Sequence, residues 1–216
     1  MQILVVGNSS NLNELRQKFG SSHAYVHVKD ELELRDDLKS ADVLFDFVPT
    51  KSAISGYAEF EKPVFLNSVF ETLDELLGQQ NYINRDLIFG FCGLPTFVDR
   101  SVLEVSVSSE EGKKRIQQTC FQLGTDFICV SDEVGFVSPR VICMIINEAY
   151  YTSEEGTALR EDIDLAMKLG TNYPYGPFEW AKRIGTDQVI KLLDRVYDKT
   201  NDERYKICAL LRAEKN

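Results

Sequence analysis

The stretch Asp126-Phe127-Ile128-Cys129-Val130-Ser131-Asp132-Glu133-Val134-Gly135-Phe136-Val137 divides the sequence into two regimes. Upstream of Asp132, short β-rich runs alternate with helical patterns. Residues 126–130 are the last of these runs, after 3–6, 24–28, 43–47, 64–66, 87–90 and 103–107. Between them, residues 12–19 and 110–123 repeat their apolar positions every three or four residues, as amphipathic helices do. Alternating strands and helices predict a mostly parallel sheet covered on both faces, and β-branched runs such as Ile3-Leu4-Val5-Val6 suit its buried centre. Downstream of Gly135 no strand pattern recurs. Residues 137–150 read as a long apolar helix and 159–169 as an amphipathic one with acids in its first turns, closed by Gly170. Tyr173-Pro174-Tyr175-Gly176-Pro177 is turn chemistry, with Pro177 opening another helix. Helices over 187–197 and 204–211 complete the pattern. The expected fold class is therefore α/β, with a mostly parallel sheet domain over residues 1–132 and an all-helical domain over 133–216.

Bulk composition narrows the partners. Hydrophobic residues make up 44% of the chain and charged residues 27%, the profile of a globular protein. The net charge of −10 repels phosphate backbones, so nucleic acid is not an expected partner. No stretch approaches the roughly 20 apolar residues of a membrane span. The start, Met1-Gln2-Ile3-Leu4-Val5-Val6-Gly7, reads as a buried strand rather than a signal peptide. Five widely spaced cysteines (Cys92, Cys120, Cys129, Cys143 and Cys208) in apolar surroundings read as reduced core thiols, which points to the cytoplasm.

One segment is specific. Gly135-Phe136-Val137-Ser138-Pro139-Arg140-Val141 leads into Asn147-Glu148-Ala149. Then follow Glu161-Asp162-Ile163-Asp164, Ala166-Met167-Lys168-Leu169-Gly170 and Tyr173-Pro174-Tyr175-Gly176-Pro177-Phe178-Glu179. In order and spacing this resembles the C-terminal helical domain of the 3-hydroxyacyl-CoA dehydrogenases. A weaker resemblance continues through Gly7, Asp30, Ala41-Asp42-Val43, Asn67-Ser68 and Leu103-Glu104-Val105. It implies a shortened Rossmann-like N-terminal domain, NAD as cofactor, an acyl-CoA ligand in fatty acid metabolism, and a homodimer through the helical domain. The acids of 161–164 also read as ordinary caps.

A dinucleotide fingerprint needs three glycines after the first strand and an acid about 20 residues further on. Gly7 fills the first position and Asp30 the acidic one, although Asp30 also reads as a turn acid. Ser9 and Leu12 stand at the second and third glycine positions, where a Cβ meets the pyrophosphate and a large side chain separates helix from strand. The cofactor-binding residues are accordingly Gly7, Ser9 and Asp30, with a weakened fit to NAD. A helix cap in Asn8-Ser9-Ser10-Asn11 would still present N–H groups to an anion.

The resemblance implies a histidine that takes the hydroxyl proton and a glutamate that orients it. Glu104 matches the glutamate. About a dozen residues upstream, Phe89-Gly90-Phe91-Cys92-Gly93-Leu94-Pro95 holds no histidine, and Cys92 or Phe91 takes its place. Neither is a proton acceptor poised near neutral pH. His23 and His27 lie near and within the second strand and read as surface or strand-end residues. Pro139 replaces the asparagine of the helical domain. Ser68 is the surviving candidate for the substrate oxygen, or equally the N-cap of a helix over 69–77. The coenzyme-contacting helical arm is missing, since only a short helix near 33–38 fits before Ala41. The catalytic candidates are thus Glu104 and Ser68, with no metal site. The sequence implies a dehydrogenase-like protein with weakened or lost catalysis, or a catalytically silent dimeric binding module.

Overall fold

Ile3-Leu4-Val5-Val6 has no polar side chain to place at a surface, and in the computed structural model these residues lie buried on an interior strand of a seven-stranded sheet. The structure describes residues 1–29, 37–57, 60–78, 82 and 84–214. It divides into two compact units, Met1–Phe136 and Val137–Asn216.

The first unit runs β1 (Gln2–Val6), α1 (Ser9–Phe19), β2 (Ala24–Val28), α2 (Asp37–Ser40), β3 (Val43–Asp46), α3 (Lys51–Gly56), β4 (Val64–Asn67), α4 (Leu73–Leu77), β5 (Ile88–Phe91), β6 (Val102–Val107), α5 (Glu110–Leu123) and β7 (Asp126–Val130). The strands lie in the order β2-β1-β3-β4-β5-β6-β7. Every neighbouring pair is parallel except β5 and β6. The mostly parallel sheet expected from the sequence is therefore present. Alternate residues feed two cores. One face packs Ile3, Val5, Phe45, Phe65, Phe89 and Phe91 against α1 and α5, with Phe45 stacked on Phe65 at 4.3 Å. The other packs Leu4, Val6, Leu44, Val64, Leu66 and Ile88 against α3 and α4.

Two details of this unit depart from expectation. The helix expected over 69–77 is confined to α4, because Thr72 and Glu75 form a capping box there and Asp132 accepts from the Leu73 and Asp74 N–H groups at 2.7 and 3.0 Å. Ser68 is therefore not the cap of α4. Most of the helix expected near 33–38 lies outside the described residues, as does Asp30.

The second unit contains α6 (Ser138–Glu154), α7 (Arg160–Thr171), α8 (Pro177–Ile184), α9 (Thr186–Thr200) and α10 (Ala209–Ala213). Gly170 does not end α7. The helix runs on to Thr171, and Asn172 turns into the left-handed region at φ 57°. The single helix expected over 204–211 is replaced by a 3-10 turn at Glu203–Tyr205 and then α10. The break follows from Asn147 on α6, whose side chain donates to the Lys206 carbonyl and accepts from the Cys208 N–H, both at 2.9 Å. These bonds hold the intervening backbone extended.

No disulfide links the five cysteines. Burial pushes the thiols of Cys120 and Cys143 up to about 12, leaving on the order of one in 10⁴ as thiolate at pH 8. Both should resist an aromatic disulfide reagent in the native protein and react on unfolding. Prompt native labelling of either, read by peptide mass, would contradict this packing.

Candidate active site

The first βα turn is built by Gly7. Its φ of +150° suits only glycine, and a Cβ there would sit 2.7 Å from Asn11 Oδ1. The next residue decides what the turn can bind. Asn8 Oδ1 accepts from the N–H groups of Ser10 and Asn11 at 2.8 and 3.0 Å, while Asn11 Oδ1 accepts from the Asn8 N–H at 2.9 Å. The helix start is thus satisfied from within, by a capping box. Those two N–H groups are donors that an anion at a helix N-terminus would use. Ser9 stands exposed beside them at the first position of α1. Leu12, at the third fingerprint position, is buried and packs α1 against the sheet. With Ser9 in place of the second glycine and the Ser10 and Asn11 N–H groups engaged by Asn8, the turn offers a dinucleotide pyrophosphate fewer free donors than an open fingerprint turn does. Asp30 lies outside the described residues.

A second group of residues gathers across β4, β5 and β6. In the antiparallel register Gly90 faces Ser106 and Phe91 faces Val105, so the next residue, Cys92, falls beside Glu104. Strand alternation puts Gly90, Cys92, Glu104 and Ser106 on one face. Phe91 points the other way, into the aromatic core, 5.1 Å from the Phe47 ring centre. Cys92 therefore occupies the place of the implied histidine, and it is buried. Ser68 joins this group because its N–H donates to the Phe91 carbonyl at 3.1 Å. Asn67 ties the same strand ends, donating to the Phe47 carbonyl and accepting from the Gly93 N–H. Ser68 is only 2% exposed, and its hydroxyl has no hydrogen-bond partner among the described residues. Glu104 is half-buried.

The structure also brings in residues that sequence reasoning missed. Arg100 lies 4.2 Å over the Phe97 ring and donates to the Thr96 carbonyl. Burial lowers the proton affinity of its guanidinium, with Cys92, Glu104 and Asp99 acting in the opposite sense. A cation thus stands within electrostatic reach of Cys92 and Glu104. Gly90, Ser106 and Asp132 also belong here. The alternation Gly90/Cys92 against Glu104/Ser106 was the available signal, since small and polar residues at those positions interrupt an otherwise apolar sheet.

The histidines do not join the cluster. His27 Nε2 bonds the Gly7 carbonyl at 2.8 Å, and His23 Nδ1 lies 3.4 Å from the amino group of Met1. Strand β2 is separated from β6 by four intervening strands, a lateral distance of about 24 Å. Pro139 sits buried in the first turn of α6 and offers no side-chain donor. Among the described residues no group of His, Cys, Asp and Glu could hold a metal ion.

Residues 135–214 match the family profile of the 3-hydroxyacyl-CoA dehydrogenase C-terminal domain. The chain is 35% identical over 197 residues to a 3-hydroxybutyryl-CoA dehydrogenase of Clostridioides difficile, a match covering 82% of this chain and 66% of that one. It is 34% identical over 112 residues to the 3-hydroxyadipyl-CoA dehydrogenase of Escherichia coli K12, covering 52% of this chain and 24% of that one. The chain thus spans about a quarter of one relative and about two thirds of the other. Its fold superposes on the crystal structure of (S)-3-hydroxybutyryl-CoA dehydrogenase from Ralstonia eutropha with a TM-score of 0.73 at 21% identity, over 98% of this chain and 92% of that one.

Proposed function

Since the chain belongs to the 3-hydroxyacyl-CoA dehydrogenase family, we propose that it is a dehydrogenase-like protein that keeps an oxygen-binding serine but whose hydride-transfer chemistry is weakened or lost. The observation that carries this reading is Cys92 beside Glu104, where a histidine base is needed. A carboxylate with no imidazole to orient is a poor acceptor for an alcohol proton, and losing a general base typically costs about 10²–10⁴-fold in rate. The capped turn at Asn8 and Ser9 supports the same reading, because it weakens the hold on NAD. The residues left for a ligand oxygen are Ser68 and Glu104. The ligand class is an acyl-CoA or a related small hydroxy compound.

A thermal-shift screen with NAD, NADP, CoA and acetoacetyl-CoA tests this reading. A ligand that binds only the native state raises the melting temperature. The CoA thioester should stabilise the protein and the nicotinamides should not. Stabilisation by NAD alone would reverse the assignment.

A dimeric role finds support in the helical unit. On α7 only Ile163 is buried, whereas Leu165 and Leu169 are exposed one turn apart. Such a stripe on a helix is costly to leave in water, and a second copy is the occupant we propose. Light scattering should give a dimer for the native protein and a monomer for the Leu165→Asp/Leu169→Asp variant. A monomeric native protein would count against the second copy.

None of the described helices is long and apolar enough to cross a membrane.

A further inference from the structure

We propose that the helical unit carries a ligand site of its own, a cleft for a small carboxylic acid, which Glu214 fills from within the chain and which a free carboxylate with a short apolar tail takes over. The cleft is lined by Tyr150, Arg160, Phe178, Lys182, Thr186 and Glu214 and has a volume of about 520 Å³, within the roughly 300–1,000 Å³ of small-molecule pockets. Its recognition groups are set by packing that owes nothing to Glu214. The Tyr150 and Phe178 rings lie 4.9 Å apart, and the Arg160 guanidinium sits over both, 5.1 and 5.0 Å from their centres. A cation held on two ring faces keeps its place without an acid partner. Tyr150 is buried, so its hydroxyl needs an acceptor inside the protein. Burial, with the adjoining Glu214 carboxylate, pushes its phenol up, and the hydroxyl stays a donor.

Both donors converge on one carboxylate. Arg160 Nη1 donates to Glu214 Oε1 at 2.5 Å, and Tyr150 Oη donates to Glu214 Oε2 at 2.6 Å. Each carboxylate oxygen thus has its own donor, in short charge-assisted bonds. What Glu214 leaves unused points to a ligand. Its single charge meets two cations, Arg160 and Lys182, and Lys182 has no partner among the described residues. Asp164, another acid near Tyr150, is spent on the Phe178 and Glu179 N–H groups. In a chain of net charge −10 this cleft keeps a positive surplus. Glu214 is also placed to leave. It stands in the turn after the short α10, and its side chain is 34% exposed. Thr186 Oγ1 donates to its carbonyl at 3.3 Å, so the backbone stays while the side chain swings out. The incoming acid takes over Arg160 and Tyr150 and lays its tail along the Phe178 ring. Two acids then face two cations, a neutral set.

This site does not depend on the dehydrogenase reading above. Its test is the melting temperature of the full chain, followed as butyrate is titrated at constant ionic strength. Glu214→Ala empties the fork and should melt below the native protein. Butyrate should restore it saturably, with a midpoint on the order of tenfold lower than for the native protein, because the built-in acid no longer competes. Adding Arg160→Gln should abolish the response, and inorganic phosphate should not reproduce it. Where Glu214→Ala does not fold, Glu214→Gln carries the same comparison, since it keeps the length of the side chain and loses only its charge. Equal midpoints for native and variant, no response in either, or a response that survives Arg160→Gln overturns the proposal. Restoration by phosphate as effective as that by butyrate overturns the carboxylate assignment.

Discussion

Asp164→Ala should lower the stability of the helical unit by about 2–3 kcal/mol, although Asp164 belongs to one helix and its effect falls on the next. The sequence places this acid in the early turns of α7, where it would complement its own helix dipole. The structure uses it across the turn: Asp164 Oδ1 and Oδ2 accept from the Phe178 and Glu179 N–H groups at 2.8 and 3.1 Å, at the open start of α8. Helix caps of this kind are each worth about 0.5–2 kcal/mol, and here one carboxylate satisfies two donors. Gly176 is part of the same device. Its φ of −74° is ordinary for any residue, but a Cβ would run into the Asp164 carboxyl group. Gly176→Ala should therefore displace the cap and cost a similar amount. Because both changes act on one contact, the double variant should fall well short of the sum. Chemical denaturation of the three variants checks this, and additive losses would show that Gly176 serves something other than the cap.

The second large effect concerns rate. Cys92→His combined with Asn8→Gly should raise acetoacetyl-CoA reduction by roughly 10²–10⁴-fold over the native protein, the range a general base supplies. Neither change alone should approach that. A histidine at position 92 would have Glu104 beside it to hold its charge, but on the proposed reading it gains little unless the dinucleotide turn is opened as well. Glycine at position 8 releases the Ser10 and Asn11 N–H groups, and at an N-cap it costs the helix only a few tenths of a kcal/mol. If the single Cys92→His change gives the full gain, the capped turn is no obstacle. If the double variant gives none, the missing base is not what limits the protein.

The sheet was legible because parallel central strands are apolar on both faces, and Ile3-Leu4-Val5-Val6 or Val64-Phe65-Leu66 admit few other readings. Strand β7 and helix α5 coincide with the expected bounds, since Ser109 caps α5 and Gly124 ends it in the left-handed region. The ends that went astray were set by long-range partners. Asn147 reaches 59 residues along the chain to break the last helix, and nothing local in Arg204–Leu211 announces that. Asp132 likewise reaches Leu73 from 59 residues away. Of the two readings of Ser68, the cap could be set aside from the sequence, since Thr72-Leu73-Asp74-Glu75 spells a capping box and marks the start of α4. At the candidate site, the lost histidine and the altered fingerprint could be read directly. The grouping of Gly90, Ser106, Asp132 and Arg100 could not, because it depends on the antiparallel register of β5 and β6.

Everything about turnover depends on whether a hydroxyl proton has somewhere to go when a hydride leaves. The direct measurement is the absorbance of NADH at its nicotinamide band, followed with purified protein and acetoacetyl-CoA at neutral pH. The trace should fall no faster than a small fraction of ordinary enzyme turnover, about 10²–10⁴-fold below it. A sustained, protein-dependent decline at an ordinary rate of roughly 1–10³ turnovers per second would contradict the account.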